Sequence, residues 1–405
     1  MKKLLCALLS LVLFCSFSLS AAVAETAKEE PGVTVYFPNW NIYSDSRCSV
    51  SGLPWDRLDC VNHAFWEVVP KDGGFAVVST DPWADTDPDN PAAHFPRYAE
   101  CAEKYPGVKI LISIGGWTDS GHFSEMALTA ESRASFIRSC LDTLDAWPFL
   151  AGLDIDWEYP GVARDPEDEN DEGNPVMGDD WTNYTLLLKE LREALDAHFG
   201  PGKILTVCAG ASVGYSLCMQ DYASLHPYVD RINLMTYDMA GPWEETTGHH
   251  TALLGENSAE AAVNYLLEQG VPAEKIAIGS PLYSHGWKVK ELTQETVGVP
   301  GEPVDDRTWH DLLPLEQAAV PEGTPGWHTR YDDRKKAAWL WNDDPGSTDY
   351  LTFFTYESAA SLEAKLAYIN EQGLGGLIVW EVHGDSIDSG WPMITQMHSG
   401  LHPSD

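Results

Sequence analysis

Apolar and polar positions along the chain fall into a repeated unit. A short run rich in Val, Ile and Leu is followed by a polar loop and then by a longer segment with apolar residues at helical spacing. Read as strands, the short runs cover 33–37, 59–65, 108–114, 150–157, 204–209, 231–236, 275–280 and 375–380. Between them, 132–144, 181–199, 258–269 and 358–372 repeat their apolar residues with the 3.6-residue period of a helix. Strand followed by helix, again and again, predicts an α/β chain with parallel pairing. A closed barrel and an open doubly wound sheet both satisfy that pattern. The spacing breaks once: roughly 95 residues separate the seventh run from the eighth, too many for a simple crossover, so an inserted subdomain is expected over 288–344.

The first 24 residues stand apart from this pattern. Lys2 and Lys3 precede a mostly apolar run, and Ala22-Val23-Ala24 ends it, which is the order of a secretory signal peptide cleaved near Ala24. The run is short for a bilayer span and carries Ser10, Ser16 and Ser18, so no membrane anchor is expected. Residues 25–405 then form one catalytic barrel, long for a single domain but within reach of a barrel with an insertion.

Charge narrows the partners. With 25 basic and 62 acidic residues the net charge is −37, a surface that repels nucleic acid and anionic membranes. Outside the leader lie Cys48, Cys60, Cys101, Cys140, Cys208 and Cys218, an even set that export would permit to pair in any of 15 ways. Cys208 with Cys218 and Cys101 with Cys140 are the pairings tried first. No two cysteines have CxxC spacing, which argues against structural zinc. The 16 tryptophans offer flat faces suited to sugar rings, although most are expected in the core.

Candidate chemistry concentrates in Leu150-Ala151-Gly152-Leu153-Asp154-Ile155-Asp156-Trp157-Glu158-Tyr159-Pro160. On a strand, alternate side chains share a face, so Asp154, Asp156 and Glu158 line one side while Leu153, Ile155 and Trp157 line the other. The apolar side can pack on helices, which leaves the acidic side to face a barrel interior. Carboxylates about 7 Å from their neighbours along a strand repel one another, and one or more is expected to stay protonated. A carboxyl that holds its proton at working pH is what a general acid requires. This chemistry favours closure of the sheet.

At these residues the chain resembles glycoside hydrolase family 18, the chitinase family, whose signature is DGxDxDxE. Ser113-Ile114-Gly115-Gly116-Trp117 resembles the family's SxGG motif and Met235-Thr236-Tyr237-Asp238 its MxYD motif. Tyr36-Phe37-Pro38-Asn39-Trp40 is similar to its first strand and Gly375 to Glu381 to its last. The resemblance implies a (β/α)8 TIM barrel with a small α+β insertion between the seventh and eighth strands. It implies a secreted retaining enzyme that cuts β-1,4 linkages of chitin or N-acetylglucosamine oligosaccharides, with neither metal nor organic cofactor, as a monomer. Endo-β-N-acetylglucosaminidase action on N-glycan cores, or a non-catalytic chitin-binding lectin, are the alternatives it leaves.

Residue by residue, the resemblance makes Glu158 the acid, Asp156 the group that orients the substrate's acetamido arm, Asp154 its proton-sharing partner and Tyr237 the donor to the acetamido oxygen. It places Tyr36, Trp40, Gly116, Trp117, Tyr159, Met235, Asp238, Trp243, Tyr283, His285 and Trp380 along the substrate. Two departures stand out. Ala151 replaces the first aspartate of the signature, and Tyr283-Ser284-His285 stands where many members have Tyr-Gly-Arg, so His285 is the candidate for the missing cation.

Other signals are weaker. Gly210-Ala211-Ser212-Val213-Gly214 matches the G-x-S-x-G of serine hydrolases, which would require a helix to start at once after it. His249 and His250 are adjacent rather than at chelating spacing and are expected to serve a loop. The acidic stretch 165–172 reads as a solvated loop without the EF-hand pattern.

Overall fold

The computed structural model describes residues 31–44, 48–292, 297–321 and 323–403, so the leader over 1–24 lies outside the described residues. Fourteen strands occur among them. β1 (Gly32–Pro38), β2 (Cys60–Lys71), β3 (Gly74–Ser79), β4 (Lys109–Gly115), β5 (Gly152–Asp156), β6 (Ile204–Gly210), β7 (Arg231–Met235) and β8 (Ile276–Pro281) come first. β9 (His285–Val289), β10 (Gly301–Val304), β11 (Trp327–Asp332), β12 (Ala337–Asn342), β13 (Thr352–Tyr356) and β14 (Gly376–Trp380) follow.

Eight of these close a parallel barrel in the order β1-β2-β4-β5-β6-β7-β8-β14, with β14 pairing back onto β1; β3 adds an antiparallel hairpin to β2. Each of the eight strand runs expected from the sequence is one of these staves, and the open-sheet alternative falls away. The cause is visible in β5. Leu153 and Ile155 point outward and Asp154 and Asp156 inward, as period-2 alternation requires. The outward face meets the helix Asp180–Phe199, whose Tyr184, Leu187, Leu188, Leu191 and Leu195 form the buried stripe expected of an amphipathic helix. Asp179 caps that helix, its side chain accepting from Thr182 N. Trp157 is fully buried behind the strand, stacked on Phe123 at 5.4 Å, with its indole N–H donating to Asn174 Oδ1 at 2.8 Å.

Between β8 and β14 lies a second, antiparallel sheet in the order β10-β9-β13-β12-β11, with the helix Trp309–Gln317 in the β10–β11 connection. Its strands run from His285 to Tyr356, wider than 288–344 on both sides, because the first strand continues almost directly from the tip of β8 and the last leads into the helix Ala359–Gln372.

The cysteine expectation is overturned. All six cysteines outside the leader are unpaired. Cys208 faces the barrel interior, where its sulfur lies 2.9 Å from the Tyr36 hydroxyl, whereas Cys218 sits on the turn Leu217–Met219 and reaches the Tyr215 carbonyl. Cys101 and Cys140 are buried on two different helices. No helix begins at Ser212, which lies in a turn, so the nucleophile-elbow reading also fails. Among the described residues no helix is long and apolar enough to cross a membrane.

Candidate active site

The inward residues at the carboxyl ends of the barrel strands converge on one cleft. Asp154 forms its base. The carboxylate accepts from Tyr36 Oη at 2.9 Å, Ser113 Oγ at 2.8 Å, Asn233 Nδ2 at 3.0 Å and the Thr206 hydroxyl. The register explains the convergence, since Ser113 and Thr206 are the direct neighbours of Asp154 on β4 and β6. Both oxygens of Asp154 are thus occupied by donors.

One pleat further on, Asp156 is buried and its Oδ1 has no hydrogen-bond partner. Burial first, then the charges of Glu158 and Asp154, raise its carboxyl well above the usual range. Glu158 follows just beyond the strand, its backbone N–H donating to Ser120 Oγ at 3.0 Å. Burial raises its carboxyl to about 7, with a hydrogen bond to Tyr159 acting in the opposite direction. Strand alternation therefore presents, in ascending order, a carboxylate saturated with donors, a carboxyl raised by burial and by its acidic neighbours, and a carboxyl held at about 7.

Around them lies a ring of aromatic side chains. Tyr36, Phe65, Met235 and Tyr237 pack in one buried cluster with Cys208, against which Tyr159, Tyr283 and Trp380 lean. The Trp380 indole stacks on Phe65 at 5.5 Å, and Trp40 lies 6.3 Å from it with nearly half its surface open. Trp117, just beyond β4, is exposed and lies 6.3 Å from the Tyr159 ring. Arg164 braces it, its guanidinium 4.0 Å from the ring centre and paired with Asp171. Trp243, the most open of the three, meets the His285 ring edge-on at 5.2 Å. Among the described residues three non-proline cis peptides adjoin these groups, Ala64–Phe65 within β2, Glu158–Tyr159 just beyond β5 and Trp380–Glu381 at the end of β14.

Gly115 and Gly116 contribute space rather than contacts. Both have positive φ, +110° and +92°, and the Gly116 N–H donates to the Asp156 carbonyl at 2.8 Å. A Cβ on Gly115 would lie 2.2 Å from that carbonyl, and one on Gly116 would lie 2.8 Å from the Phe65 ring. Gly115→Ala is therefore expected to cost about 1–3 kcal/mol of stability from the left-handed backbone alone and to displace Asp156 as well. Urea unfolding alongside turnover checks this; a variant with wild-type stability and activity would contradict it.

Asp238 closes one wall. Its Oδ1 accepts from Tyr283 Oη at 2.5 Å and faces His285 Nε2 at 2.8 Å, while His285 Nδ1 faces the Asp306 carboxylate at 3.0 Å. Burial by itself would lower the His285 ring, but its hydrogen bonds to Asp238 and Asp306 and their charges prevail and raise it to about 9. These two carboxylates hold the ring in its cationic form at neutral pH. Burial acts to raise the Asp238 carboxyl, yet the imidazoles of His250 and His285 beside it outweigh that and hold it well below the usual range. His250 is thus no ordinary loop residue: it is fully buried against Tyr283 and His285, and burial pushes its ring down to about 4.

The structure brings Tyr36, Met235 and Tyr237 together with Tyr159, Tyr283 and Trp380 in one cluster beside the carboxylates, with Trp40, Trp117 and Trp243 exposed around it. Missed from the sequence were Phe65, Arg164, Cys208, His250 and Asp306. The acidic stretch is solvated only in part, because Asp171 is buried and accepts from Arg164 and from the backbone N–H groups of Glu167 and Gly173. Ala151 lies at the far end of the β5 segment and uses its backbone alone, accepting from Ile204 N and donating to Ile110 O, so the departure from the signature leaves the cleft untouched.

Comparison with known proteins agrees with this geometry. The sequence profile of Glycosyl hydrolases family 18 matches residues 32–385. Chitinase A1 of Niallia circulans is 30% identical over 93% of this chain and 60% of its own length. Chitinase A of Pseudoalteromonas piscicida is 30% identical over 86% of this chain and 46% of its own. The chain thus spans about half of these curated relatives. Among solved structures, chitinase ChiA74 from Bacillus thuringiensis superposes with a TM-score of 0.78 at 26% identity, over 92% of this chain and 70% of that one. A barrel whose fourth parallel stave carries the family's carboxylate series, inside a profile match running from β1 to just past β14, makes this chain a member of glycosyl hydrolases family 18.

Proposed function

We propose that the chain hydrolyses β-1,4 bonds of chitin or N-acetylglucosamine oligosaccharides, with the substrate's own acetamido oxygen as nucleophile. The observation that carries this reading is the buried Glu158 carboxyl, held near neutrality one pleat above a buried Asp156 whose carboxyl is itself raised. The names of the relatives, which are chitinases, support it.

In this reading Glu158 protonates the departing glycosidic oxygen, and its carboxylate then takes a proton from the incoming water. Asp156 faces the acetamido N–H and shares its proton with the Glu158 carboxylate once Glu158 has given its own to the leaving oxygen, so that negative charge lies beside the cationic ring formed by attack of the acetamido oxygen. Asp156 and Glu158 titrate together, each raised by burial, so their protons belong to the pair. Tyr237 directs its hydroxyl to the acetamido oxygen, an orientation effect that raises the effective concentration of the nucleophile. Trp380 supplies the floor and Trp40, Trp117 and Trp243 the platforms along which neighbouring sugars stack. Displacement by an internal nucleophile followed by water returns the original anomeric configuration.

Because the protonated form of Glu158 does the work, kcat/KM is expected to fall about tenfold per pH unit above an apparent pKa near 7. A profile on chitooligosaccharides from pH 5 to pH 9 checks this, and activity that stays flat through pH 9 would contradict it. We further propose export, on the order of charge, apolar run and small residues over 1–24, and, from the family resemblance, action as a monomer. Product masses from chitin, chitooligosaccharides and a high-mannose glycopeptide, run beside Glu158→Gln, test the substrate class. Cleavage of the glycopeptide alone would move the assignment to N-glycan cores, and binding without cleavage would make the protein a lectin.

A further inference from the structure

Asp238 and His285 are joined by His250, which sugar binding does not account for. Their ligating atoms all lie within 4.8 Å of one another. Asp238 comes from the loop after β7, His250 from further along that loop and His285 from the start of β9, so two connections of the barrel bring them together. Half of the Asp238 side chain is open to the cleft, which leaves room for a ligand's remaining coordination positions.

The histidines are unequal in an informative way. His285 presents Nε2 to Asp238 and is backed through Nδ1 by the Asp306 carboxylate, the carboxylate–histidine pairing that orients imidazole ligands around metals. His250 is fully buried, and neither of its ring nitrogens has a hydrogen-bond partner; Nδ1 stops 3.9 Å from Asp238 Oδ1, too far for a hydrogen bond. A buried imidazole without a partner is costly, and here it is aimed at a carboxylate and a second imidazole.

A second cluster of the same composition, His63, Asp85 and His94, shows the contrast. There Asp85 is sealed from solvent, and its oxygens are taken by His63, His94, Trp66 Nε1 and Ser79 Oγ, so hydrogen bonding completes the group and leaves nothing for an ion to do.

We propose that Asp238, His250 and His285 bind one divalent transition ion of the zinc or copper class, with Asp306 orienting His285 from behind. Two imidazoles, one carboxylate and one open position suit four-coordinate zinc. The ion takes the place of the proton between His285 Nε2 and Asp238, and that proton leaves to solvent. Occupation removes Asp238 and the His285 cation from the sugar, so the ion competes with saccharide. This last consequence rests on the function proposed above; the binding does not.

Calorimetric titration of the chelator-treated full chain with zinc chloride, with cobalt(II) absorption as a second readout, tests the site. We expect one ion per chain, a tetrahedral cobalt spectrum, loss of both in His250→Phe, which keeps the ring volume, and a 10- to 100-fold weaker affinity in Asp306→Asn. Circular dichroism confirms that each variant is folded. Absence of stoichiometric binding in the wild type, or unchanged affinity in folded His250→Phe, would overturn the proposal. In turnover assays zinc is expected to raise KM for chitooligosaccharide without lowering kcat. Metal-free protein that binds zinc but cleaves no chitooligosaccharide would sink the chitinase reading and leave the ion site standing, and the reverse result would do the opposite.

Discussion

Glu158→Gln is expected to lower kcat on chitooligosaccharides by about 10²–10⁴-fold, or roughly 3–5 kcal/mol of barrier, while the barrel stays folded. The amide keeps the shape of the side chain but carries no proton acidic enough to release to a leaving oxygen. Its effect on stability has a definite sign. The folded carboxyl titrates at about 7 against an ordinary 4.5, so ionisation penalises the folded state increasingly as pH rises between those values. Glutamine does not ionise. The variant should therefore gain stability relative to wild type from pH 4.5 to pH 7 and hold that gain above it, which urea unfolding at several pH values measures. A variant that lost stability as well as activity would point to a structural role for Glu158.

Lys365→Met is expected to destabilise the fold by about 3–5 kcal/mol. Lys365, on the helix Ala359–Gln372, is completely buried and ion-paired with Glu357, itself completely buried. Its ammonium also donates to Thr251 Oγ1 and, at 3.0 Å, to the Gly279 carbonyl. Thr251 in turn donates to the Thr236 carbonyl, and Thr236 bonds with Gly279 in both directions, so one cation ties the end of β7 to β8 and to the loop carrying His250. Removing it strands the Glu357 carboxylate without its counter-charge and frees the strand end that presents Tyr237 and Asp238. Converting both partners, Lys365→Met with Glu357→Leu, is expected to recover a large part of the loss, because the penalty comes from the charge left behind. A thermodynamic cycle over the two single variants and the double one decides it; additive losses would show that the pair does not act as a unit.

How far the sequence revealed this molecule depends on the range of the interactions involved. Alternation along β5 was legible because a strand's side-chain period is local, and it located the acid, its neighbours and the face that enters the barrel. The eight staves were legible for the same reason. The closure of the sheet needed chemistry, since apolar runs do not distinguish a barrel from an open sheet. Residues that meet from distant segments left little local signal: Phe65 reaches Trp380, Asp306 reaches His285, and Arg164 folds back onto Trp117. His250 lies in a loop as expected, but its burial against Tyr283 and His285 comes from distant segments and left no local signal. Cysteine parity misled too, since Cys208 serves as an inward hydrogen-bonding residue of the barrel and has no covalent partner.

The most direct test of the central claim is time-resolved proton NMR of chitohexaose digestion, which reports the configuration of each new reducing end before it equilibrates. A proton supplied by Glu158 and a nucleophile supplied by the sugar's acetamido arm predict β-anomers first. Initial release of α-anomers, or no cleavage at all, would contradict it.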